Sequence, residues 1–113
     1  MTQLELAQAI RSGYDRIGWN ECLNLFIHYD EAADCACPVG AAYISQFPEM
    51  SIEAIEKQFI TKSVRNGSYF VTVAEKLGIS AELLSRISHL HEQGTISATE
   101  ILKMLETNSL EIG

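Results

Sequence analysis

Cys35, Ala36 and Cys37 place two sulfurs two residues apart, a spacing that suits a strained disulfide or two thiolates on one soft metal ion. Cys37 precedes Pro38, where a helix is expected to begin, so unpaired backbone N–H groups and the helix dipole would favour its thiolate. Asp30, Glu31 and Asp34 lie just upstream and oppose that effect. A zinc site needs four ligands, and the neighbouring sequence adds only Cys22, His28 and Asp34. A nucleophilic cysteine needs a base, and His28, His89 and His91 fall at no spacing that marks one. His89 and His91 are two apart on an expected helix, so they face different directions and belong at the edge of its apolar stripe. The same segment also makes sense without chemistry. Cysteine behaves as a small buried hydrophobe, and Gly40, Ala41 and Ala42 give a thin helix that a neighbour can approach closely. Packing is the leading explanation, with Cys35 and Cys37 the candidate thiol site; no catalytic residue, cofactor or metal is expected.

A second pattern concerns binding. Residues 71–90 (VTVAEKLGISAELLSRISHL) resemble a helix-turn-helix, with Ala74, Gly78, Ile79, Leu84 and Ile87 at the places where two helices cross through a glycine turn. That resemblance implies a second helix entering the DNA major groove, offering Glu82, Ser85, Arg86 and His89. Its charge argues otherwise. The window and its end hold Lys76 and Arg86 against Glu75, Glu82 and Glu92, too little to neutralise phosphates. Lys57, Lys62 and Arg65 upstream do not fall on one tight stripe. A packing corner explains the pattern better, and the exposed residues become a candidate interaction helix.

The elements that must position these groups read mainly as helices. Thr2 and Glu5 form a capping box, and Leu4, Ala7 and Ile10 continue one face to Gly13, so a helix is expected over about 3–12. Residues 23–29 alternate like a strand yet also suit a helix. Asp30 to Asp34 reads as an acidic loop. A helix should start at Cys37-Pro38 and run to about Gln46, before Pro48. Ser51 caps the next, with Ile52, Ile55 and Phe59 buried. After the Asn66-Gly67 turn, residues 69–73 have strand-like composition but flow into the helical Ala74–Leu77. Gly78 ends that helix, Ser80 caps one with Leu83, Leu84, Ile87 and Leu90 as its stripe, and Gly94 closes it. Ser97 and Glu100 cap the last helix, which holds Ile101, Met104 and Leu105 and ends near Glu106. Tyr14, Trp19 and Tyr29 are expected to pack rather than to stack a ligand. The expected fold is a mainly α, compact bundle of five or six short helices in one domain. A short β-ribbon from 23–29 and 69–73 is the open alternative for those stretches.

Cys37-Pro38-Val39-Gly40-Ala41-Ala42-Tyr43 resembles the Cys-Ala-x-Gly-Ala-Ala-Tyr segment of small uncharacterised bacterial proteins, many of which also end in two helices like residues 83–106. Pro38 and Val39 depart from that pattern, and His91-Glu92 replaces an Asn-Asp pair. The resemblance implies a fold and no activity.

Length, composition and charge bound the rest. A chain of 113 residues with 47% hydrophobic and 20% charged residues can bury one core and is not disordered in character. The apolar stretch Cys22–Tyr29 is short and interrupted by Asn24 and His28, so no membrane span is expected. The first twenty residues lack a basic start followed by an uninterrupted apolar run; the cytoplasm and reduced thiols are therefore expected, and three cysteines cannot all pair within one chain. The net charge of −7 divides into −4 over residues 1–47, zero over 48–71 and −3 over 72–113. Such a chain repels nucleic acid and anionic membrane. A small non-enzymatic cytoplasmic protein that binds another protein or its own copy is the leading expectation. A helix-turn-helix regulator and a thiol redox or metal protein using Cys35 and Cys37 are the alternatives.

Overall fold

Four hydroxyl caps set the frame of the molecule. In the computed structural model, which describes residues 1–23, 26–94, 96–108 and 110, the Thr2 hydroxyl accepts from Glu5 N while the Glu5 carboxylate accepts from Thr2 N. Ser51, Ser80 and Ser97 likewise accept from Ala54, Leu83 and Glu100 amides. Each oxygen satisfies an N–H that the first helical turn leaves free. The helices are α1 (Gln3–Ile17), α2 (Pro38–Ile44), α3 (Ile52–Asn66), α4 (Tyr69–Leu77), α5 (Ala81–Glu92) and α6 (Ala98–Glu106). The mainly α, compact fold expected from the sequence is the one observed, and no helix among the described residues is long and apolar enough to cross a membrane.

Two boundaries differ from expectation, each for a packing reason. The first helix does not stop at Gly13 but runs on to Ile17 and ends at Gly18, which takes a left-handed φ of 77°. Gly13 is instead where α1 meets α2: a side chain there would run into the Ala41 carbonyl. The second difference is the ribbon. Strand β1 (Ile27–His28) pairs antiparallel with β2 (Cys35–Ala36), with Ile27 opposite Ala36 and His28 opposite Cys35. Residues 69–73 are not its partner; they open α4, with Thr72, Val73 and Leu77 buried along one helical face. Their β-branched and aromatic composition yields to tertiary packing, as propensity often does. Of the ambiguous 23–29 stretch, residues 24 and 25 lie outside the described residues.

Helix α2 is the centre of the core. All seven of its residues are buried, with α1 across one side, α4 and α5 across others, and β2 leading into it. Gly40 is required here as well, because a side chain would meet the Phe26 carbonyl and Ile27. The thin Gly-Ala-Ala helix is thus approached closely by both α1 and the chain before β1. Helix α6 packs on α1, while α3 reaches the core through Ile52, Ile55 and Phe59.

Candidate functional site

Cys35 does not pair with Cys37. It forms a disulfide with Cys22, the Cα atoms 5.5 Å apart, so neither the expected reduced state nor a Cys35–Cys37 site describes this structure. The backbone explains the exchange of partners. The chain at 20–22 runs beside β2, with Cys22 N donating to Ala36 O at 3.3 Å and Ala36 N donating to Asn20 O at 3.1 Å. Cys37 has already turned into the start of α2, where its Sγ accepts from Gly40 N at 3.4 Å.

Its position at a helix start does not make Cys37 acidic. Burial pushes its thiol from an ordinary value of 9.0 up to about 12. Amide hydrogen bonds from Gly40 and Val39 oppose the rise, while the Glu92 charge adds to it. Desolvation wins over the helix terminus, and the group is a buried thiol rather than a nucleophile. Tyr14 lies in the same interior, donating to Ala36 O at 2.8 Å; burial raises its pKa, and the charges of Cys37 and Glu21 contribute.

The three histidines are placed apart. His28 is exposed, with Nδ1 3.9 Å from Glu56 Oε2. His89 is exposed beside Gln93. His91 lies inside rather than at the edge of the α5 stripe, its Nε2 2.8 Å from Glu21 Oε1. That same carboxylate oxygen accepts from Ala98 N at 2.9 Å, so Glu21 joins α5 to the start of α6. A hollow of about 400 Å³ lies beside it, lined in part by His91, Ser97 and Glu100; the buried Nδ1 of His91 has no hydrogen-bond partner among the described residues. Among the described residues no three metal-ligating side chains gather.

Helices α4 and α5 do meet through Gly78, whose φ is 69°. Glu82, Ser85, Arg86 and His89 are exposed together on α5, as the turn pattern requires. Lys76, the other base of that window, instead lies 5.0 Å over the Phe47 ring. Glu82 stands one turn from Arg86 on the exposed face and carries the opposite charge.

An aromatic-walled cleft on the surface was not marked by any sequence motif. Phe26, Phe59 and Tyr69 converge, with ring centroids 4.9 to 5.7 Å apart, around a cleft of about 200 Å³. Ile27 and His28 of β1 complete one wall, and Glu56 and Ile60 of α3 the other. Glu56 Oε2 accepts from Tyr29 N at 3.1 Å and so ties the two walls at the rim. Beside the cleft, Ile60, Val64 and Tyr69 are 48%, 75% and 45% exposed. The available signal was the pair Ile60 and Val64, one turn apart on α3 and off its buried stripe. Phe26 and Tyr69 are distant in sequence and only the fold brings them together.

Comparisons with protein families, curated proteins and solved structures give no match to this chain.

Proposed function

We propose that this protein is a non-enzymatic binding module that engages another protein or its own copy through the cleft between β1 and α3. One observation carries the proposal: three large apolar side chains, Ile60, Val64 and Tyr69, stand exposed beside an aromatic-walled hollow. Grouped exposed apolar residues of this kind mark interaction sites, whereas scattered ones do not. The size of the hollow favours a protein. At about 200 Å³ it is smaller than the few hundred to a thousand Å³ of ordinary small-molecule sites, and it suits one bulky side chain. The electrostatics agree, because residues 48–71 carry no net charge while the flanking segments hold the acid excess. Ile60, Val64 and Tyr69 all belong to that neutral segment. The cytoplasmic placement expected from the sequence belongs to this proposal, and the Cys22–Cys35 disulfide stands against it.

The test combines sedimentation up to millimolar concentration with selection of displayed peptides that carry aromatic side chains. The expected outcome is self-association or a selected peptide, abolished by Val64→Asp and mapped by NMR to Ile27, Ile60 and Tyr69. A strictly monomeric protein that selects no peptide at this face would overturn it. The helix-turn-helix reading keeps the α4–Gly78–α5 corner in its favour and the acidic charge against it. Binding to random DNA at low salt would revive it.

A further inference from the structure

We infer that the Cys22–Cys35 disulfide governs the cleft: oxidised, it holds the wall made by Phe26, Ile27 and His28 against α3, and its reduction by a dithiol releases that wall. This rests on the cleft being the binding face. The coupling is direct in the backbone. Ile27 and His28 are the whole of β1 and both line the cleft, and Cys35 is the ladder partner of His28. The disulfide therefore fastens the strand that holds the wall, and closes the loop from 22 to 35 that carries it. Without it, β1 is held by a two-residue ladder, by Cys37 N donating to Phe26 O at 3.2 Å, by the rim contacts of Glu56, and by the packing of Ile27 in the core and of the Phe26 ring on Phe59, Tyr69 and Phe70. A two-stranded ribbon this short is marginal by itself. The opposite wall has independent support, since Glu56, Phe59 and Ile60 ride on capped α3 and Tyr69 on α4.

The chemistry balances with one two-electron reductant. Cys35 is partly exposed whereas Cys22 is buried, so a thiolate of the dithiol attacks the Cys35 sulfur and expels the Cys22 thiolate, which takes a proton. The second thiol of the reductant then resolves the mixed disulfide, leaving a Cys35 thiol and the reductant's own disulfide. Cys37, buried under the start of α2, takes no part in the exchange.

Indole serves as the probe, titrated into oxidised protein, into protein reduced with dithiothreitol, and into Cys22→Ser/Cys35→Ser. Methyl and ring NMR signals of Ile27, Ile60 and Tyr69 report binding. Oxidised protein is expected to bind, and both open forms to bind about tenfold more weakly, the loss that follows if the wall is in place one-tenth of the time. Amides at 26–28 should exchange faster in the open forms, while signals from α1, α5 and α6 stay in place. Equal affinity and equal exchange in oxidised and reduced protein overturns the latch and leaves the cleft standing. Collapse of the whole fold on reduction also overturns it, since the disulfide would then serve the entire molecule. If indole fails to bind even oxidised protein, the binding face itself falls, and the latch with it.

Discussion

Cys37 shows how burial can reverse what a helix start suggests. Seen in sequence, a cysteine before Pro38 has the dipole and free amides of α2 to stabilise a thiolate. The folded thiol is instead held protonated up to about pH 12, and Tyr14 beside it is raised by the same desolvation. Both groups bind their proton more tightly folded than unfolded. Their stabilisation is therefore complete below about pH 9 and is lost as pH rises from there through the folded values. Denaturant unfolding should show stability falling by roughly 1 kcal/mol per pH unit for each group beyond its unfolded pKa. Cys37→Ala should flatten the decline between pH 9 and 10, before the unfolded tyrosine titrates. An unchanged slope in that variant would show that the thiol is not the group responsible. Sequence made Cys37 visible as a residue of interest, but its neighbours Glu92 and Tyr14 come from distant segments and were not visible with it.

Among the elements, the capped ends were readable and the contacts between elements were not. Thr2, Ser51, Ser80 and Ser97 each sit one residue before the helix they cap, because a local hydroxyl meeting a local N–H needs no tertiary information. Gly13 was misread for the complementary reason: a glycine that admits a crossing helix looks in sequence like one that ends its own. The ribbon misled similarly, since β1 has only two residues and its partner lies across the acidic loop rather than in α4. Glu21 has nothing in its sequence surroundings to mark it, yet one of its oxygens serves both His91 and the first amide of α6. Glu21→Ala should cost about 2 kcal/mol, because it leaves a buried imidazole and a helix start unmet. Glu21→Gln, which keeps an acceptor, should recover part of that loss. Thermal unfolding of the pair checks this, and equal stability of the alanine variant and the parent would contradict it.

For the molecule as a whole, mainly helical architecture followed from periodicity and caps, while the cleft required the long-range meeting of Phe26, Phe59 and Tyr69. Charge was legible at this scale from the start. The neutral middle and acidic ends could be counted, though not that the neutral part would carry the exposed apolar face.

The complete enclosure of α2 bears on the order in which the chain can fold. During synthesis α1 and α2 emerge first, but α4 and α5, which cover the remaining sides of α2, are made afterwards. A nascent chain ending near Gly67 would therefore hold an apolar heptamer, Pro38–Ile44, without the cover that α4 and α5 supply. Residues 1–67 as a fragment should lack native helix content by circular dichroism and associate through α2. A folded, monomeric fragment would show that α1 and α3 suffice to enclose it. Until the later helices arrive, holding this segment away from other chains falls to whatever chaperones the growing chain meets.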